Sequence, residues 1–407
     1  MAWHATSRRE TSARPEEDLL LCCAQIPMDI TSTAQIKRLV QQPLDWEYLL
    51  RMAQRHALLP LLFWHLNATC PEAVPTTYWQ RLRERFDANA RRNLRLTGEL
   101  LTLVRLCAAE HIPLIPFKGP VLAASVYGDL ALRQFGDLDI LVPAPDVLRM
   151  KTLLLAHGYR MMWPIAAAQE RLFLKTNHEY SFIHRDGVSC VDLHWSLSHE
   201  AFPTPLDPQR LWEGLVPVML GGREVLTFTP EDTLLLLCMH GAKHCWDKVQ
   251  LIGDVARLLA VSGQLDWERV LRQAQTAVSV RPLSLGLRLA HDLLGCPLPK
   301  DVWHRVQADP VVPRMVTRVR ARFFQQQGTW PMLVQNTWRG AQALDTLRQR
   351  SRYVCEMLFT PTLLDFVTFH LPALFFPLYY VLKPCRLSAT YLLTPLKHQL
   401  LKRFQRS

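Results

Sequence analysis

The sequence predicts an α+β fold, in which a mixed β-sheet in the middle third of the chain is flanked by helical regions on both sides. Two observations predict this class. Apolar residues recur at spacings of three and four before about residue 108 and again after residue 229, whereas short apolar runs bounded by Gly and Pro fill the segment between. Hydrophobic residues make up 49% of the 407 residues and charged residues 20%, so a disordered chain is excluded.

The N-terminal part is predicted to be helical after a loose polar leader at residues 1–17. The helical region covers residues 18–108. Within it, residues 46–66 predict one helix whose buried face is formed by Leu49, Met52, Ala53 and His56. Residues 78–106 predict a long amphipathic helix. The arginines of this helix fall on more than one face and have acids among them, so we expect a solvated helix, and the sequence gives no strong evidence for a nucleic-acid partner.

The middle region, residues 109–228, has the pattern of a sheet with short helices. Helices are predicted from Lys118-Gly119 to about Tyr127 and over 145–157. The predicted strands are residues 112–117, 137–143, 158–163, 179–184 and 189–195, with a hairpin at 217–228 that turns at Gly221-Gly222.

The helical pattern resumes at Thr229, which is predicted to cap a helix with Pro230 at its first position and two acids in its first turn. This second helical region spans residues 229–300. Residues 301–407 form a C-terminal helical tail that contains an apolar segment, 363–382, and a basic end.

The net charge of +11 favours anionic partners such as nucleotide phosphates, nucleic acid or acidic lipid, without choosing among them. The ten cysteines include no Cys-x-x-Cys pair, so neither a zinc ribbon nor a thioredoxin site is indicated. The N-terminal residues lack the apolar core of a secretory signal. We therefore expect a cytoplasmic protein with reduced cysteines.

The most informative stretch carries two acids on one predicted strand. Asp137 and Asp139 alternate along that strand, so both side chains point to the same face. Two carboxylates this close favour a cation between them, and Mg²⁺ takes carboxylate and phosphate oxygens. Lys118 and Gly119 stand upstream at a strand-to-helix turn, where glycine allows a phosphate to approach the backbone. Asp192, in an apolar strand, has the right setting for a third carboxylate.

These motifs resemble a known family. The order of a strand, Lys-Gly, a helix, an Arg, a DxDxLV strand and a VDLHW strand is similar to the uncharacterised nucleotidyltransferase family of the polymerase-β-type superfamily. Most of that superfamily has Gly-Ser where this chain has Lys118-Gly119, which replaces a hydroxyl by a cation. The resemblance covers roughly residues 40–300 and implies a nucleotidyltransferase-type sheet in residues 109–228, the expected catalytic core, with residues 229–300 on the acceptor side.

The resemblance also implies roles for single residues. Asp137, Asp139 and Asp192 would be the metal-binding and catalytic carboxylates, with Mg²⁺ or Mn²⁺ as cofactor. Lys118, Gly119 and Arg133 would hold the phosphates of an NTP, which we expect to be ATP. An NMP group would then pass to a hydroxyl of an unidentified small-molecule or protein acceptor. The residues expected on the acceptor side are His178, Glu179, His240, His244, Lys248 and Asp254.

The sequence also allows other interpretations of the protein and of these residues. The protein could be a catalytically silent nucleotide-binding or scaffold protein, acting as an accessory in the synthesis of a metabolite or cell-surface polymer. Arg133 could form a structural ion pair with Asp129 or Asp137. His240 and His244, four residues apart on one helix face, could be half of a zinc site or simply core histidines.

The tail leaves two further alternatives. Residues 363–382 are long enough to span a bilayer, but Pro372 and Pro377 argue against a straight spanning helix. The segment could pack on the body of the protein, or residues 363–407 could make peripheral contact with an acidic membrane. We expect packing on the body.

Overall fold

The structure is a computed structural model, and it describes residues 3–4, 14–25, 30–197, 206, 211–277, 279–324, 337 and 340–390. Most of this chain is helical. The α-helices are α1 Pro15–Cys23, α2 Ile30–Val40, α3 Trp46–Arg55, α4 Leu59–Thr69, α5 Thr76–Ala109, α6 Gly119–Leu122, α7 Val147–Ala156, α8 Ala167–Thr176, α9 Pro230–Lys243, α10 Val249–Val261, α11 Trp267–Thr276, α12 Val280–Leu294, α13 Lys300–Gln307, α14 Val312–Phe323, α15 Leu347–Phe359, α16 Leu363–Thr368 and α17 Tyr379–Ser388.

The strands form three sheets. They are β1 Trp3–His4, β2 Ile115–Pro116, β3 Asp137–Leu141, β4 Tyr159–Met161, β5 Glu179–His184, β6 Cys190–His194, β7 Val216–Leu220, β8 Arg223–Thr227 and β9 Leu298–Pro299. The main sheet has five strands in the order β2-β3-β6-β5-β4, and only the pairing of β3 with β6 is parallel. β7 and β8 form the predicted hairpin, and β1 pairs with β9. A helical chain with a mixed sheet is consistent with the predicted α+β class.

The two faces of the main sheet differ in polarity. Alternate residues of β3 and β6, such as Leu138, Ile140 and Val191, pack with α5, α7 and the tail in one apolar core. The intervening residues carry the acids. Because the parallel register places Asp139 beside Asp192, carboxylates of two strands come together on this second face.

A second apolar core holds the helices together. Buried residues of α1 to α4 and of α9 to α14 belong to the same cluster, so helices from both ends of the chain form one packed body. The domain boundaries given above stay a prediction.

The helix predicted over 46–66 is broken in the structure. α3 ends at Arg55 and α4 begins at Leu59, with Ala57 at a positive φ of 57°. The cause is Pro60, which lacks an N–H and whose ring would clash with the His56 carbonyl in a continuous helix. That carbonyl instead accepts a hydrogen bond from the backbone N–H of Gln250. The helix α8 was not predicted.

The tail packs on the body in part, as expected. Phe366 and Tyr379 are buried in the sheet core, where Phe366 contacts Phe173 of α8 edge-to-face. Gln169 of α8 donates to the carbonyl of Phe369. Among the described residues, no helix is long and apolar enough to cross a membrane. The basic end beyond residue 390 lies outside the described residues.

Candidate active site

A cavity of about 420 Å³ lies between the acidic face of the main sheet and the end of α9 with the start of α10. Its walls carry opposite charges. The sheet side presents Asp137, Asp139, Glu179 and Asp192. The helical side presents Lys243 and Lys248 beside His240 and His244, whose pKa values are lowered by burial, and Lys118 enters from the turn after β2. The volume falls within the range of about 300–1,000 Å³ that is usual for ligand pockets.

The three strand aspartates are in different electrostatic states. Burial, and then repulsion from Asp139, raises the pKa of Asp137. Burial raises the pKa of Asp192 to about 6. The charges of Asp139, Glu179 and Asp137 also raise this pKa, whereas a hydrogen bond from Ser181 lowers it. Burial, and after it repulsion between neighbouring carboxylates, therefore disfavours the ionised forms of Asp137 and Asp192.

Asp139 is the exception because it already has a cationic partner. The Lys118 ammonium donates to its Oδ1 at 3.0 Å, and His194 Nε2 lies 3.2 Å from the same oxygen. Burial alone would raise the pKa of Asp139, but Lys118 and then His194 outweigh it and hold that pKa well below its usual range. Lys118 thus pairs with the carboxylate of Asp139, for which the sequence predicts a metal ion.

Gly119 makes the approach of Lys118 sterically feasible. It has a positive φ of 51°, and a Cβ at this position would lie 3.2 Å from the carbonyl oxygen of Asp137. A side chain at residue 119 would therefore strain the turn and push it away from β3. The glycine thereby lets Lys118 reach Asp139, the second acid of the strand.

Three residues that sequence reasoning did not assign to the site also line the cavity. His194 lies between Asp139 and Glu179, with its Nδ1 3.4 Å from Glu179 Oε2. Lys243 lines the cavity, and its Nζ lies 3.3 Å from Nε2 of His178. Asp247 also lines the cavity. The signal for Lys243 was its position between His240 and His244, since residues three and four apart share a helix face.

The local sequence explains why this face of α9 points at the sheet. Thr229 caps the helix by accepting from the N–H of Asp232, and apolar residues fill its other sides. Gly241 allows Trp246 to pack against α9, because a Cβ there would lie 2.5 Å from the indole. Trp246 is buried in the core and is not part of the cavity wall.

Two expected site residues have a structural partner instead. Arg133 donates from Nε and Nη2 to the two carboxylate oxygens of Asp254, at 3.0 and 2.9 Å, rather than pairing with Asp129 or Asp137. The Tyr127 hydroxyl donates to the same carboxylate at 2.6 Å. Arg133 still lines the cavity, and its bond to Asp254 also positions the wall; its contact with a phosphate stays a prediction.

Asp254 also differs from its expected place on the acceptor side. It lies on α10, is fully buried and does not line the cavity. His178 is buried, does not line the cavity, and contacts Lys243 and Glu179, which do line it. Glu179, His240, His244 and Lys248 do line the cavity.

The carboxylates fit a hard cation in chemistry, because they supply oxygen donors whose burial and repulsion a divalent ion would relieve. The positions of these side chains, however, do not form a ready-made metal site. Within the described ranges, no group of three or more His, Cys, Asp or Glu side chains is arranged to hold a metal ion. The zinc alternative at His240 and His244 gains no third ligand from the described part of the chain.

Comparisons with known proteins identify the family. A comparison with curated proteins and one with solved structures each gave no match. The model of a family described as uncharacterised nucleotidyltransferase matches residues 42–295. This range covers more than half of the chain and includes the acidic strands, the Lys118 turn and the helices that form the opposite wall. The chain belongs to this uncharacterised nucleotidyltransferase family.

Proposed function

We propose that this protein transfers an NMP group from an NTP to a hydroxyl of an acceptor and releases pyrophosphate. The observation that carries the proposal is the pairing of an acidic wall with a basic wall across one cavity, in a chain of a nucleotidyltransferase family. An NTP needs both walls, since its metal ions bind carboxylates and its phosphates bind cations.

On the acidic wall, Asp137 and Asp139 would hold Mg²⁺ or Mn²⁺. A bound ion of this kind supplies charge stabilisation for the attacking and leaving oxygens of an in-line displacement. The raised pKa of Asp137 supports the assignment, because that carboxylate has no fixed cationic partner in the described structure comparable to the one Lys118 gives Asp139.

On the basic wall, Lys118, Lys243 and Lys248 are placed to bind the triphosphate. To bind a phosphate, Lys118 would exchange its ion pair with Asp139 for one with the triphosphate. Burial lowers the pKa of Lys243, so an anionic ligand that enters the cavity would favour its charged form and gain an ion pair. The expected NTP is ATP, and labelled nucleotides test this choice directly.

Asp192 is the proposed general base. Its pKa of about 6 leaves it ionised at neutral pH yet basic enough to accept a proton from the acceptor hydroxyl. The hydroxyl oxygen bonds to the α-phosphorus, the bond from the α-phosphorus to the bridging oxygen breaks, and pyrophosphate leaves with that electron pair. Glu179, His240 and His244 line the remaining cavity and are the proposed acceptor side.

The test is transfer of label from each α-³²P NTP, with Mg²⁺ and a cell extract, to a protein or small-molecule fraction. Asp139→Asn should abolish transfer while Glu224→Gln, an exposed acid on β8, should not change it. Transfer that survives Asp139→Asn would contradict the assignment. Nucleotide binding without transfer under any condition would favour the catalytically silent alternative.

A further inference from the structure

Exposed apolar side chains concentrate in the tail. Between residues 358 and 381, eight large apolar residues are 41–84% exposed. These residues, which we call the apolar tail surface, are Leu358, Phe359, Leu364, Leu374, Phe375, Leu378, Tyr380 and Val381. They lie on α15, α16, α17 and the 3₁₀ turn Ala373–Leu378, elements that pack on one another. Exposed apolar surface of this kind marks an interaction site.

The exposure is not the result of an undocked segment. The opposite side of the same elements is anchored, because Phe366 and Tyr379 are buried against the sheet core and contact each other with ring centroids 4.8 Å apart. Lys383 is buried and donates to the carbonyl of Thr360 at 2.6 Å, which ties α17 to the end of α15. The tail therefore has one face fixed to the body and another face without a described partner.

The charge around this face is one-sided. Asp365 is fully buried and binds Arg386 at 2.7 Å, and Glu356 pairs with Arg352. From residue 366 to residue 407 the sequence contains six Lys and Arg and no acid. Within the described residues, Lys383 and Arg386 are held by partners of the tail itself, so the charge comes from residues 391–407, which follow α17 outside the described residues and contain four Lys and Arg and no acid.

This combination favours lipid over protein as the occupant. A second copy of the chain would bring the same basic segment against itself, since a two-fold interface is self-complementary, and like charges would then oppose contact. An anionic bilayer offers phosphates for the cations and an apolar interior for the side chains. Phe359, Phe375 and Tyr380 are suited to the interfacial zone, where aromatic rings are enriched.

We propose that the apolar tail surface docks this protein onto an anionic lipid bilayer, lying in the interface rather than crossing it. Pro372 and Pro377 keep the elements short, so each inserts side chains to a shallow depth. Attachment of this kind does not depend on the proposed transfer reaction.

The test is flotation of the full chain with vesicles of phosphatidylcholine and phosphatidylglycerol at 3:1, and with phosphatidylcholine alone. The double variant Leu374→Glu, Phe375→Glu should reduce partition into the anionic vesicles by at least about tenfold, because it removes inserted apolar area and adds repulsion. The control is Leu94→Glu, Met219→Glu, which adds the same charge at two side chains that are each 62% exposed elsewhere. Both variants should keep the wild-type melting temperature.

The wild-type protein should float with the anionic vesicles only, and less so at high salt. No flotation with either vesicle, or equal losses in the tail and control variants, would overturn the proposal. Concentration-dependent dimerisation in light scattering that the tail variant abolishes, without flotation, would assign the surface to a second copy instead and would also overturn it.

Discussion

Replacing Lys118 with Met should strengthen the binding of Mn²⁺ to the nucleotide-free protein. In the structure the Lys118 ammonium lies 3.0 Å from Asp139 Oδ1, and both side chains are largely buried. A divalent cation at Asp139 must therefore compete with an internal cation. Methionine keeps the length and apolar stem of the lysine but removes that competitor, so the carboxylate becomes free to bind the metal ion.

The size of the effect follows from the geometry. Two unit charges 3.0 Å apart attract by about 5 kcal/mol at an effective dielectric constant of about 20. Most of this is offset by the desolvation of both groups, and a hydrogen bond to a charged group contributes about 1.5–3 kcal/mol net. Removing it should raise the Mn²⁺ affinity about 10- to 100-fold.

The assay is calorimetric titration of Mn²⁺ into wild-type, Lys118→Met and Lys248→Met protein, without and then with an NTP. Lys248 lines the same cavity but has no described ion pair with the strand acids, so its variant removes an equal charge without freeing Asp139. We expect little change for Lys248→Met in Mn²⁺ binding alone. With the NTP present the sign should reverse for Lys118→Met, which should lose about 1–3 kcal/mol of nucleotide affinity.

Two results would refute this reasoning at different levels. Unchanged or weaker Mn²⁺ binding by Lys118→Met, with tight binding by the wild type, would show that Lys118 does not compete at Asp139. No Mn²⁺ binding by any of the proteins, even with an NTP, would instead contradict the metal site and with it the proposed function.

Three further predictions concern the base, the buried ion pair and pH. Asp192→Asn should slow transfer strongly yet spare part of the nucleotide binding, as measured by single-turnover kinetics and titration; equal losses would make it a ligand only. Asp254→Asn should lower the free energy of unfolding in urea by about 3–5 kcal/mol, because Arg133 is left buried and unpaired; a loss below 1 kcal/mol would contradict this. Burial lowers the pKa of His56 to about 4. Between about pH 6.5 and pH 4 the unfolded chain therefore binds a proton at this histidine that the folded chain does not. The free energy of unfolding should fall by up to about 3 kcal/mol as the pH drops through this range. A His56→Asn protein should show a flatter pH profile, and an unchanged slope would exclude His56 as the cause.

The acidic wall could be predicted from sequence because it depends on local rules. Strand alternation places Asp137 and Asp139 on one face, and apolar patterning identifies the neighbouring strand of Asp192. The turn at Gly221-Gly222 and the helix start at Thr229 also follow from local chemistry and are found where predicted. Each of these features is decided by residues close together in the chain.

The basic wall could not be predicted in the same way. The contacts of Lys243 with His178 and of Arg133 with Asp254 join residues that are 65 and 121 positions apart. Spacing along one element says which face a side chain occupies, but not which element packs against that face. For the same reason the sequence predicts that Lys118 and Asp139 lie in one site, but it does not predict the direct ion pair between them.

The buried ion pair of Arg133 and Asp254 explains how the two walls form one site. Arg133 stands just before β3, and Asp254 lies on α10, so their two-point bond fixes the acidic strand to the helical body that supplies the opposite wall. Tyr127, at the end of the helical segment that begins with Gly119, donates to the same carboxylate. One buried aspartate thereby holds the phosphate-side turn, the acidic strand and the basic wall at fixed separations. The helices of the matched range are therefore part of the proposed catalytic unit, and α9 and α10 are where differences in acceptor should be encoded.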